Sequence, residues 1–502
     1  MAYRIYPVTK TELSCDDYKV LVNGKEVALD AARVSAIPFN RRWPGYQRQI
    51  EQTEMINFLS FAMDEPVTLE IFPKKPANGV EIRPRSANIK HELTDKGRIL
   101  VHLEKPQYFT VEPYGRSHAL HVFADDMPAY GIDFSDPNVI YYGEGEHDVG
   151  NIELESNQTL YLDEGAVVYA CVHAADAKNI RILGRGILDN SKNKEKILFE
   201  AKLENNDAAV ENAERIHTIQ LEYCENVEID GITMRDSLVY NVRPRACRNL
   251  TFKNIKIIGC WRYNSDGIDM HNCENVLIEN CFIRTFDDCI CVKGFDCFNG
   301  DDDPEQLYAT MNHNGVCYDT FHHVHVRNCV LWNDWGKCLE IGAETRAEEM
   351  CDILFEDCDV IHVNYAPLDV MNVDWADVHD VIYRNIRIEL DDVIPQRILQ
   401  RSDDHVYEQT DPDYVPAIIY TRVVKHHEYS RGGTRRGRIR DILFENIDVY
   451  GRQSIILKFE GYDGTYTSER ITVRNLRKNG KPLTAADVIL QQNEFCRDIV
   501  IE

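Results

Sequence analysis

NLTFKNI, residues 249–255, recurs 26 positions later as NVLIENC, residues 275–281, and 23 positions earlier as NVEIDGI, residues 226–232. In each copy apolar and polar residues alternate as in a strand, then a turn residue precedes Ile or Cys. The pattern continues as HVHVRNC from His323, DILFEDC from Asp352, DVIYRNI from Asp380, DILFENI from Asp441 and RITVRNL from Arg470, with DIVIE at the C-terminus as a truncated copy. Gaps of 48 and 61 positions, from 275 to 323 and from 380 to 441, predict extra turns or inserted loops. A short period of alternating strands without helical heptads predicts a β-solenoid, and the regular leucine signature of leucine-rich repeats is missing.

The register within the copies sharpens this reading. Asn254, Asn280, Asn328, Asp357, Asn385, Asn446 and Asn475 share one position, with Gly231 in the first copy. Stacked coils would make them a ladder at a turn, since Asn tolerates left-handed backbone and both donates and accepts hydrogen bonds. The next position holds Ile232, Ile255, Cys281, Cys329, Cys358, Ile386, Ile447 and Leu476. Cysteine there stands in for isoleucine and is expected in the core.

Residues 1–130 lack the repeat and show alternating stretches, such as YKVLVNGKEVAL and RILVHL, between turn residues. They predict a small antiparallel β-sandwich-like domain, followed over 131–502 by an all-β right-handed parallel β-helix. The segment Asp133–Gly150 is expected to join the two. KILFEAKLENN, within a charged insert at 190–217, has helical spacing, and 391–440 reads as a second polar excursion.

Composition narrows the function. A net charge of −27 opposes nucleic acid and anionic membrane partners. The start, MAYRIYPVTKTELS, has no basic region followed by an apolar stretch, so a cytoplasmic location with the sixteen cysteines reduced is expected. Cysteine pairs with zinc-site spacing are missing; no cofactor or metal is expected, and oligomeric state is open.

The chemistry concentrates in NSDGIDMHNCENVLIENCFIRTFDDCICVKG, residues 264–294. Asp266-Gly-Ile and Asp288-Cys-Ile lie 22 positions apart, close to one coil, so the two aspartates should be neighbours at the ~4.8 Å strand spacing, with Asp287 beside them. Three carboxylates so close repel, and at least one should hold a proton near neutrality. Such a set supplies both the acid and the base that acetal cleavage needs. Asp287, which on a regular strand would point away from Asp288, requires a bend at 286–288. A calcium site or solvated turn carboxylates is the competing reading.

Asn264-Ser265-Asp266 and Asp287-Asp288-Cys289-Ile290 resemble the NTD and DDC motifs of the polygalacturonase-like glycoside hydrolases, family 28. The chain is more distantly similar to the dextranase and isopullulanase group, family 49. The resemblance implies a β-helical inverting hydrolase with Asp287 as general acid and Asp266 and Asp288 holding the attacking water. It also places Lys293 where bacterial members have a lysine close to the site. Where those enzymes have a GHG histidine motif this chain reads WGKCLEIGAE from Trp335, with Gly336 or Lys337 at the histidine position. Where they have the RIK clamp for a uronate carboxylate it reads Leu368-Asp369-Val370-Met371-Asn372. An aspartate in a cation's place would repel a uronate, so a neutral sugar in an oligo- or polysaccharide is the expected substrate.

Trp261, Trp332, Trp335 and Trp375 are candidate sugar platforms, weighed against plain packing roles. Glu340 and Glu344 fit a sugar hydroxyl or a salt bridge equally. His271, His313, His322, His323 and His325 are read as structural or solvent-facing because no carboxylate or cysteine completes a ligand set in the sequence. The run Asp301–Asp303 reads as an acidic loop rather than a calcium site. Competing functions are a β-helix polysaccharide lyase or fructosyltransferase, and a non-catalytic carbohydrate-binding solenoid.

Overall fold

The computed structural model describes residues 3–36, 52–193, 217–262, 264–294, 312–394, 413–426, 429–430 and 435–502. KILFEAKLENN, Asp301–Asp303 and residues 395–412 of the second excursion lie outside these. Among the described residues no helix is long and apolar enough to cross a membrane.

Alternating apolar residues in the N-terminal part build two sheets facing across a common core. One has five antiparallel strands in the order Lys25–Val27, Tyr18–Val22, Val67–Pro73, Ile99–Leu103, Lys90–Leu93. The other has six strands around Thr53–Met63, Leu120–Asp125 and Gln107–Arg116. It departs from the expected antiparallel arrangement at one place, where Leu120–Asp125 runs parallel to Thr53–Met63. Val20, Phe61, Leu69, Val101, Phe109 and Val122 fill the space between the sheets. Burying each such side chain contributes ~1.5–3 kcal/mol, which sets the sheet faces.

A parallel β-helix follows, its 31 strands among the described residues stacked coil on coil. It begins at Val139–Tyr142, which pairs with Thr159–Leu162, so the second half of the expected joining segment already belongs to the first coil. One inward column runs Ile180, Val227, Leu250, Val276, Val324, Ile353, Val381, Ile442, Ile471, Ile499. The long sequence gaps do not separate neighbouring coils: Glu274–Glu279 pairs directly with Thr320–Arg327, and Asp377–Glu389 with Arg438–Tyr450.

The asparagine position is a left-handed turn in every copy named above, with φ between 53° and 56° from Asn254 to Asn475. Asn475 donates to Asn446 (2.6 Å), Asn446 to Asn385 (2.9 Å) and Asn385 to Asp357 (3.1 Å). A second ladder opens each repeat: Asn275 donates to Asn249, Asn249 to Asn226 and Asn226 to Asn179, all left-handed. That is why copies lacking Asn begin with His323, Asp352, Asp380, Asp441 or Arg470, each at φ above 50°. Cys281, Cys329 and Cys358 are fully buried in the isoleucine column, and the fifteen described cysteines are free thiols.

The two parts dock through buried charge. Lys256 of the solenoid bonds Asp125 at 2.8 Å, Arg83 bonds Glu389 at 2.7 Å, and Arg116 and Ser35 both bond Asp334. Trp332, expected as a possible sugar platform, is instead fully buried in this junction, its indole donating to Asp334 and its ring facing His362 and His121.

Candidate active site

The backbone ladder stacks Asn241, Asp266, Asp288 and Lys337 on successive coils: Asn241 N–H bonds Asp266 O (3.0 Å), Gly267 N–H bonds Asp288 O (2.8 Å) and Cys289 N–H bonds Lys337 O (2.8 Å). The chain bends at Phe286 and Asp287 between strands Phe282–Thr285 and Ile290–Gly294. Thr285 and Asn333 side chains hold the Asp287 carbonyl and thereby fix the bend. As a result Asp287 turns toward its neighbours: Asp266, Asp287 and Asp288 each bring a carboxylate oxygen within 4.8 Å of the other two. Asp266 (2% exposed) and Asp288 (6%) are recessed, and Asp287 is half-buried.

Burial and the neighbouring charges of Asp269 and Asp287 push the Asp266 carboxyl well above its usual range. Asp288 goes the opposite way: its burial would raise it, but Lys337 and Lys293 overcome that and hold it ionised. Lys337 Nζ stands 3.7 Å from Asp288 Oδ1, and its backbone N–H donates to the same oxygen at 2.8 Å. Gly336 lies over the pair, with no room for a side chain. At the two candidate positions for the histidine, Gly336 gives clearance and Lys337 gives charge.

Lys337 also bonds Glu340 at 2.7 Å. Glu340 is fully buried, and burial together with Asp288 raises its carboxyl far above the usual range. Lys293 is buried among Asp269 (2.9 Å), Glu344 (3.6 Å) and Asp266 (3.9 Å). Asp369 is buried and bonded by Arg422 at 2.6 Å, so its charge is balanced and the simple repulsion expected from it does not operate. Trp335 stacks on Phe286 (centroids 5.6 Å apart) beside the bend. The Trp261 indole bonds Asp236 at 3.1 Å under the Arg262 guanidinium, and Trp375 is buried.

Asp269, Arg422 and Asn333 were not singled out from the sequence. Asp269 carried a usable signal: it lies three residues after Asp266 and, on strand Ile268–His271, points outward between core residues Ile268 and Met270. Among the histidines, His271 is buried and held neutral by burial and Arg243. His313 pairs with Asp176 and stacks on Tyr223, His323 pairs with Asp352, and His325 with Glu356.

Residues 145–300 match the model of glycosyl hydrolases family 28. Among curated proteins, a probable polygalacturonase of Vitis vinifera is 38% identical over 80 residues, 16% of this chain and 16% of the relative. A polygalacturonase of Gossypium barbadense is 29% identical over 154 residues, 28% of this chain and 33% of the relative. The aligned part therefore spans a third or less of either relative's length. Among solved structures, Dex49A from Penicillium minioluteum aligns over 99% of this chain and 96% of its own with a TM-score of 0.53 at 12% identity, a likeness of fold. The segment that carries the three aspartates thus matches the family 28 model, within the β-helical part of the fold.

Proposed function

We propose that the chain is a glycoside hydrolase that cleaves a neutral-sugar oligo- or polysaccharide by general acid and base catalysis. The observation that carries this reading is the convergence of Asp266, Asp287 and Asp288 within 4.8 Å, with opposite electrostatic pressure on two of them. A set containing one carboxyl that resists ionisation and one held ionised is equipped to give a proton and to activate water. The family resemblance assigns the delivery of the proton to Asp287, the least buried of the three, and the holding of the water to Asp266 and Asp288.

Support for a neutral substrate comes from the cations around the cluster. Lys293, Lys337 and Arg422 are each paired with a carboxylate: Asp269, Glu340 and Asp369. A uronate carboxylate would have to compete with those pairs. The family resemblance implies inversion, whereas the carboxylate spacing is shorter than the ~6.5–9.5 Å usual for inverting pairs. NMR of the first-formed anomer decides between them.

The test uses aryl glycosides with good leaving groups and natural oligosaccharides, polygalacturonate included. Asp287→Asn should abolish cleavage of the oligosaccharides and spare part of the aryl glycoside rate, because a good leaving group needs less protonation. Asp266→Asn and Asp288→Asn should impair both. Equal loss on both substrate types in Asp287→Asn would remove Asp287 from the acid role, and efficient galacturonate release would overturn the neutral-sugar assignment.

A further inference from the structure

Away from the aspartate cluster, strands of two adjacent coils bring a second kind of donor set together. Glu349 and Cys351 are two apart on strand Glu349–Glu356 and so share a face. Cys351 pairs in register with His379 of the next coil and with His322 of the preceding one. A carboxylate oxygen of Glu349, the Cys351 sulfur and a ring nitrogen of His379 lie within 4.8 Å of one another. We propose that Glu349, Cys351 and His379 form a binding site for a borderline-soft divalent cation of the zinc class, stapling the two coils together.

Three features favour a cation here over a plain surface ion pair. The donor types are oxygen, sulfur and imidazole nitrogen, the mixture zinc-class ions take and hard cations refuse. In a tetrahedral site, bonds of ~2.0–2.3 Å put ligand atoms roughly 3.3–3.8 Å apart, so side-chain rotation alone closes the present set onto an ion. Finally, Asp380 Oδ2 accepts from His379 Nδ1 at 2.7 Å, and this orients Nε2 toward Glu349, 2.8 Å away. A carboxylate behind the ring is the arrangement that fixes a ligating imidazole's tautomer.

The charge around the sulfur agrees. The carboxylates of Glu349, Asp352 and Asp380 lie around the Cys351 sulfur. Those carboxylates disfavour a bare thiolate and favour a cation in its proton's place. Binding forms the metal–sulfur bond and releases the thiol proton to solvent. The site was invisible in the sequence because its ligands come from two coils and its cysteine occupies an outward strand position, unlike the core cysteines of the isoleucine column.

The test is titration of the full chain, freed of metal by chelation, with Co²⁺. A thiolate-to-cobalt charge-transfer band should appear with one equivalent and be displaced by Zn²⁺. Cys351→Ser should eliminate the band and Cys317→Ser, at an exposed cysteine elsewhere, should leave it. Asp380→Asn keeps a residue suited to the left-handed backbone there (φ 52°) and should weaken the affinity ~10–100-fold through the tautomer. Absence of the band in the folded wild-type chain, or its persistence in Cys351→Ser, would overturn the site. An Asp380→Asn variant that binds like wild type would overturn the orienting role given to Asp380.

Discussion

A Cβ built on Gly336 would stand 2.3 Å from Asp288 Oδ1 and 2.6 Å from Asp287 Oδ1, distances no packed side chain tolerates. Gly336→Ala must therefore displace the two carboxylates or the bend that carries them. Displacements of about 1 Å at reacting groups cost on the order of 100-fold in rate, whereas overpacking one methyl costs roughly 1–3 kcal/mol. We expect kcat/KM to fall about 100-fold with a modest drop in thermal midpoint. A variant of near-normal activity would show that the pair is not where the chemistry occurs. Lys337 makes a separate prediction. It holds Asp288 ionised, so Lys337→Met should raise the Asp288 pKa and move the acid limb of the kcat/KM profile to higher pH. An unmoved limb would mean that another group sets it.

At the level of the element, the repeated left-handed turns are the testable part. Asn385 sits at φ 54°, donates to Asp357 and accepts from Asn446. Asn385→Ala loses both bonds and puts a Cβ without local compensation into left-handed backbone, a cost of about 2–3 kcal/mol. Asn385→Gly loses the bonds alone and should cost less. Comparing urea midpoints checks the order, and equal loss in both would assign the whole effect to the hydrogen bonds. The ladder that contains Asn385 was legible in the sequence because successive copies repeat it at one register. Asp266 and Asp288 were found for the same reason, their separation being one coil. Arg422 was not, since 53 positions separate it from Asp369 and no repeat in the sequence bridges them. Asn333 was missed because it works through its hold on a backbone carbonyl, which leaves no motif.

On the scale of the whole molecule, the N-terminal domain is fastened to the solenoid by ionised groups buried at the junction, and His362 is its titratable centre. Its Nε2 faces Glu112 of the N-terminal domain at 3.0 Å and its Nδ1 faces Asp391 of the solenoid at 2.8 Å. Burial alone would lower its pKa, but the two carboxylates prevail and raise it above the ordinary histidine value. A raised folded-state pKa contributes stability that is complete below the ordinary value, about 6.5, and is lost as pH rises through the folded one. Glu112 and Asp391 act in the other direction. Burial opposes their charge, His362 outweighs it, and both are lowered, Asp391 to about 2, so their share is lost only as pH falls through those lowered values. The docking is therefore strongest between the ordinary carboxylate and histidine ranges, roughly pH 4–6.5. His362→Gln removes one of the cations facing the two carboxylates, with Arg83 still 3.2 Å from Glu112 and Arg116 3.6 Å from Asp391, so a loss of about 1–3 kcal/mol is expected inside that window. Thermal midpoints of wild type and variant should differ most there and converge as pH rises above neutrality. A gap that stays constant up to alkaline pH would show that His362 contributes through its packing against Trp332 and not through its charge.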